Sequence, residues 1–151
     1  MTRSNDSTNG VNLVDQFQIT SGLVARYADR IFYAEMGITQ SKFMVLSAIG
    51  SSKSPVNQSR IADKVQRNLN SLSMMADRLV KSGLVTRTRS DEDRRENYLD
   101  LTSEGRKKVA QGKKVNESLN KRLINMINEK EAQGLQAVLS TLEEKIIREI
   151  K

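Results

Sequence analysis

Apolar residues recur at three- and four-residue steps along most of this chain, and the pattern breaks at a few defined points. From Val11 to about Glu35 the residues Leu13, Val14, Phe17, Val24, Tyr27, Ile31 and Phe32 form one stripe, predicting a long helix that ends at Gly37. Thr39 is a suitable N-cap for a second helix, Gln40 to Ile49, with Phe43, Leu46 and Ile49 on one face and Gly50 at its close. A Ser-rich loop from Ser51 to Val56 holds Pro55, and Asn57 then caps a third helix, Gln58 to Val65, whose apolar face is Ile61, Ala62 and Val65. After a polar break at Gln66 to Asn68, a fourth helix spans Leu69 to Lys81 with Leu72, Met75, Leu79 and Val80 inward and Gly83 as its stop.

Beyond Gly83 the period shortens. Leu84 to Arg89 and Asn97 to Leu101 alternate as strands do, placing Val85, Arg87 and Arg89 on one side, and the charged run Ser90 to Glu96 joins them as a hairpin tip. Thr102 caps a fifth helix through Val109, Val115, Leu119, Leu123 and Met126, with Glu104 in its first turn where a negative charge suits the helix dipole. The sixth, Lys130 to Lys151, spaces Leu135, Val138, Leu142 and Ile146 by three and four, and Leu139, Ile147 and Ile150 widen the stripe. A brief third strand is expected near Pro55. The chain therefore reads as mainly α with a small β-wing: two short helices across a tight turn followed at once by a hairpin, a winged helix-turn-helix.

Composition changes the picture in two ways. A single proline, eight glycines and 4% aromatics in 151 residues leave few interruptions to helical ladders, and 25 Lys plus Arg against 18 Asp plus Glu give +7, which attracts polyanions over a Debye length. The chain has no cysteine and no histidine, which removes disulfides, thiolate zinc, thiol redox switching and the Cys/His and Ser/His/Asp nucleophilic arrangements. No metal, cofactor or enzymatic activity is expected. The polar segment 1–10 reads as a flexible tail rather than a secretory signal, and no apolar run approaches a bilayer span, so a cytoplasmic location away from membranes is expected.

The exposed start of the fourth helix carries Arg67, Asn68, Asn70, Ser71 and Ser73, which can exchange hydrogen bonds with base edges. Singly, Asn68 would be a helix cap and the others a solvated face; as a set between a short helix and a basic hairpin they favour DNA. At the hairpin tip, Arg94 and Arg95 suit a narrow minor groove, with Asp93 placed to brace them. A calcium loop from Asp91 would need Gly and Glu at its sixth and twelfth positions, where the chain has Glu96 and Thr102.

Four fragments in order resemble the MarR family of transcriptional regulators: Ile38-Thr39-Gln40-Ser41-Lys42-Phe43-Met44-Val45-Leu46, Asn57-Gln58-Ser59-Arg60-Ile61-Ala62, Asp77-Arg78-Leu79-Val80-Lys81-Ser82-Gly83-Leu84-Val85, and Asp93-Arg94-Arg95 followed by Tyr98-Leu99-Asp100-Leu101-Thr102-Ser103-Glu104-Gly105. The resemblance implies that Arg95 enters the minor groove, that Asp93 braces the wing, and that Asn68 to Met74 face the major groove. The family often has arginine where this chain has Met74 and a basic or polar residue where it has Leu69, so base contacts here are expected to be more apolar, as to thymine methyl groups.

The resemblance also implies a homodimer through the first, fifth and sixth helices. The stripes of residues 11–36 and 103–151 form its expected dimerisation region, and 38–102 the DNA-binding region. Phe32, Tyr33, Met36 and Phe43 are candidates for an effector cleft, although such residues at helical spacing are more often plain core. The reading is thus a sequence-specific regulator, a repressor on a pseudo-palindromic double-stranded operator, released by a small-molecule effector. The alternative is a winged architectural or protein-interaction module with no specific operator.

Overall fold

Side-chain caps decide where the short helices begin. Thr39 accepts from the Lys42 N–H at 3.3 Å, Asn57 from Ser59 at 2.8 Å and Asn68 from Ser71 at 2.7 Å, each satisfying a donor the helix leaves unpaired. The structure, a computed structural model, describes residues 6–150. In order it holds α1 (Asp6–Met36), α2 (Gln40–Gly50), β1 (Val56–Asn57), α3 (Gln58–Lys64), α4 (Leu69–Lys81), β2 (Val85–Arg89), β3 (Asn97–Leu101), α5 (Ser103–Ile124) and α6 (Glu129–Ile150). The strands form one antiparallel sheet in the order β1-β3-β2, with Val85 opposite Leu101, Arg87 opposite Leu99, and Val56 also opposite Leu99. The small third strand expected near Pro55 is β1.

Helix α1 begins at Asp6 rather than Val11, so residues 6–10, expected as part of a tail, are helical; residues 1–5 lie outside the described residues. That stretch has no apolar residue to mark a period, whereas a helix already nucleated extends at little cost per residue.

The chain divides into two units, one ending at Val115 and one from Asn116 to Lys151. In the first, Phe32, Val45, Leu46, Ile49, Ile61, Leu72 and Leu99 are almost wholly buried and draw α1, α2, α3, α4 and β3 into one core. Phe32 and Phe43 pack with ring centroids 5.0 Å apart and planes tilted by 32°. Helix α5 lies close against this core: a Cβ on Gly112 would stand 2.3 Å from the Phe43 ring, and one on Gly105 would stand 2.1 Å from the Leu84 carbonyl oxygen. Its Lys108 ammonium donates to the Met36 carbonyl at 2.7 Å and the Gln111 amide to the Glu35 carbonyl at 3.0 Å, satisfying the free end of α1.

In the second unit, Asn128 and Glu131 form a reciprocal capping box at the start of α6, each side chain accepting the other's backbone N–H at 2.9 Å. Helix α6 buries no residue, and Leu135, Val138, Leu142 and Ile146 along its stripe are exposed. Among the described residues no helix is long and apolar enough to cross a membrane.

The two kinds of helical glycine predict opposite responses to the same methyl group. Gly112→Ala forces a methyl into the Phe43 ring and should lower stability by about 1 to 3 kcal/mol. Gly134→Ala meets nothing within 4 Å and should raise stability by up to about 1 kcal/mol through helix propensity. Urea unfolding of both variants at matched protein concentration checks the pair.

Candidate nucleic-acid interface

Helix α4 is held by one narrow stripe. Leu72, Ala76 and Leu79, at 0%, 0% and 1% exposure, occupy one side, while Asn70, Met74, Asp77, Arg78 and Lys81 stand exposed on the other. The buried row differs from the expected one: Ala76 is inside, Met75 only half-buried, and Val80 exposed. Residue size misleads here, because the small Ala76 takes a fully buried position while the larger Met75 and Val80 do not.

The turn before α4 is tight, with Gln66 at φ 52 in the left-handed region and its side-chain amide bonded to the Asp63 carbonyl at 2.8 Å. Of the residues expected to face DNA, Asn70 is open to solvent and Ser71 and Ser73 are half-buried. Asn68 is the N-cap, so its carboxamide oxygen is engaged. Arg67 is half-buried, with its guanidinium turned toward α2 and donating to the Ser41 hydroxyl at 3.1 Å. Met74 is 60% exposed and Leu69 48%.

The wing tip is shaped by acceptors close in sequence. The Ser90 hydroxyl accepts the N–H groups of Glu92 and Asp93 at 3.2 Å, and the Asp93 carboxylate accepts the Arg95 N–H at 2.9 Å. The Glu96 N–H returns to the Asp93 carbonyl at 2.9 Å, and Ser90 bonds the Glu96 carbonyl at 3.0 Å. Asp93 thus braces the backbone under Arg95, and no ion pair among the described residues engages Arg94 or Arg95. Both arginines are exposed.

Between α4 and the wing lies a hollow of about 170 Å³ lined by Gln58, Ser59, Leu69, Asn70, Ser73, Arg95, Glu96 and Asn97. It brings Asn70, Ser73 and Arg95, expected from the sequence, to one place, and adds the start of α3. Gln58 is 5% exposed and its side-chain oxygen has no hydrogen-bond partner among the described residues.

The wing is fastened to α4 by Arg87, which was not among the expected site residues. Its guanidinium pairs with Asp77 and donates to the Ser73 carbonyl at 3.3 Å, spanning β2 and the middle of α4. The strand alternation placed Arg87 on one side of the hairpin, but nothing local named its partner ten residues earlier. The proposed effector residues divide: Phe32, Met36 and Phe43 are buried, Tyr33 is 64% exposed, and none lines the hollow.

The model of the MarR family matches residues 38–97, from two residues before α2 to the first residue of β3. The chain is similar to the HTH-type transcriptional regulator PrsX of Escherichia coli, at 39% identity over 75 residues covering 49% of this chain and 45% of PrsX. It is 33% identical over 109 residues to the HTH-type transcriptional regulator YfiV of Bacillus subtilis, covering 72% of this chain and 66% of YfiV. The chain belongs to the MarR family. Its match to PrsX spans under half the length of that relative. Among solved structures the MarR fold of this chain superposes on the transcriptional repressor CouR bound to a 23-mer DNA duplex with a TM-score of 0.78 at 24% identity, covering 94% of this chain and 99% of that one. The matched segment contains α4, Arg87 and the whole wing tip, the parts assembled above.

In this MarR winged helix, Arg87→Met keeps the stem of the side chain and removes its charge-assisted bonds, which should lower stability by about 1 to 3 kcal/mol. Asp77→Asn should cost less, because the Asp77 side chain is 61% exposed. Chemical denaturation of both single variants and the double variant checks the ordering and the coupling between them.

Proposed function

We propose that this chain is a sequence-specific double-stranded DNA-binding transcriptional regulator, and that α4 and the wing read one half-site together. The observation that carries the reading is the exposed face of α4 beside a wing tip whose two arginines are exposed and, among the described residues, free of ion pairs. Asn70 and Ser73 take the major-groove side, with Ser71 and Met74 beside them; Arg94 and Arg95 reach the adjacent minor groove or backbone. Asn68 and Arg67 act mainly on the start of α4, through the cap and the bond to Ser41.

The regulator works as a homodimer in this reading, with residues 38–102 reading DNA and residues 11–36 and 103–151 forming the dimer. Support comes from apolar side chains left in water on α1 and α6: Leu13 at 71%, Val14 at 56%, Phe17 at 50%, Leu135 at 51% and Ile146 at 54% exposure. A two-fold dimer sets its recognition helices about one DNA turn apart, roughly 34 Å, and so selects a pseudo-palindrome. Repression by occluding a promoter is the mode proposed, in keeping with the structural likeness to CouR. A small-molecule effector would act by favouring a dimer with the wrong helix separation. The site of action is the cytoplasm, where a regulator meets its operator.

Selection of bound duplexes from a random pool should enrich a palindrome with half-sites one turn apart; retention of all duplexes alike would favour an architectural module. On the selected duplex, Arg95→Ala should weaken binding and flatten its salt dependence, while Asn70→Ala should cost roughly 1 to 3 kcal/mol at one base step. Sedimentation at micromolar concentration should give a dimer, and a monomer there would remove the symmetric half.

A further inference from the structure

Met74 does not match the chemistry of the surface it occupies. Its thioether side chain is 60% exposed on the face of α4 opposite Leu72, Ala76 and Leu79, so it adds nothing to the core. It is also absent from the wall of the hollow beside the wing. Asn70 and Ser71 precede it by four and three residues and Asp77 and Arg78 follow it by three and four, so its neighbours along that face are polar or charged.

An isolated apolar side chain among polar and charged ones is a poor anchor for a protein partner, which would need a contiguous apolar patch. It does suit a small apolar group set among hydrogen-bonding ones on a polyanion. In the major groove that group is the thymine 5-methyl, the one apolar feature of the base edges there. Methionine is unbranched and adaptable, so it can cover a single methyl without a shaped pocket. Asn70 and Met74 stand about 5 to 6 Å apart at Cβ, which corresponds to one or two base steps of about 3.4 Å.

We propose that Met74 is a specificity-determining residue that reads thymine by covering its 5-methyl group, one or two pairs from an adenine bonded by Asn70. This deepens the DNA-binding reading above and rests on it. The half-site accordingly includes an A·T pair read by each of these two residues, and part of the discrimination is apolar and insensitive to salt.

The test uses the full chain and the duplex it selects, with each thymine replaced in turn by deoxyuridine, which removes one methyl and leaves every hydrogen-bonding group in place. One position per half-site should respond, weakening binding about fourfold alone and roughly fifteenfold when both half-sites are changed. The Met74→Ala protein should bind the thymine and uracil forms of that position alike while keeping its dependence on the adenine assigned to Asn70. Because the uracil series uses the unaltered protein, its outcome does not depend on how a variant folds. Indifference of the parent protein to every uracil would overturn the Met74 assignment and leave the DNA-binding reading intact. So would a uracil response that persists unchanged in Met74→Ala. Failure to retain any duplex would overturn both readings.

Discussion

A helix with half its surface open to solvent can be held only by the other half, and α4 meets this constraint with Leu72, Ala76 and Leu79. Three side chains on one stripe fix its position against the core but leave rotation about the stripe weakly opposed. Arg87 supplies the missing restraint, because its bonds to Asp77 and the Ser73 carbonyl lie off the stripe and tie α4 to the sheet that carries the wing. The Asn68 cap and the bond from Arg67 to Ser41 secure the N-terminal end in the same way. The orientation of the exposed face is thus set by polar contacts at its margins, and its depth by apolar burial beneath.

Most of this architecture was legible in the sequence because it is locally encoded. Thr39, Asn57 and Thr102 each cap the helix their position suggested, and Gly83, at φ 73, ends α4 in the left-handed conformation that glycine adopts freely. The hairpin followed from a change of period, and its register pairs Val85 with Leu101 as alternation requires. The places where reading failed depend on partners distant in sequence. Ala76 rather than Met75 lies inside, Arg67 turns to a serine in α2, and the Gln58 carboxamide is buried at the start of α3, in the wall of a hollow it shares with the wing. The bond between Arg87 and Asp77 is likewise tertiary, and no periodicity marks it.

The long helices differ from the reading lobe in how their apolar residues are used. In α2, Phe43, Val45, Leu46, Ala48 and Ile49 are all buried within the chain, whereas α6 carries a longer stripe with none of it buried. Glycines at Gly105 and Gly112 allow α5 to approach the Leu84 carbonyl and the Phe43 ring, distances that any side chain would forbid. Precise shape complementarity is therefore concentrated where the wing and α2 meet α5. The exposed apolar stripe of α6 is the physical basis of the proposed dimer.

The wing tip shows how acidic residues can serve a cation-dependent surface. Asp91, Glu92, Asp93 and Glu96 outnumber Arg94 and Arg95, and a count of charge alone would make the tip unattractive to a polyanion. Geometry changes that conclusion. Asp93 uses an oxygen on the Arg95 backbone N–H, and Glu96 accepts from the Tyr98 hydroxyl at 3.2 Å, so both are engaged away from the guanidinium groups. A direct ion pair would hold an arginine in place and oppose its transfer to a phosphate or a groove; a bond to its backbone shapes the loop while leaving the side chain able to move. The remaining acidic field acts through solvent and is screened within about 8 Å at physiological salt. In the proposed complex the guanidinium groups of Arg94 and Arg95, which no ion pair among the described residues engages, are the tip groups able to reach a phosphate or a groove.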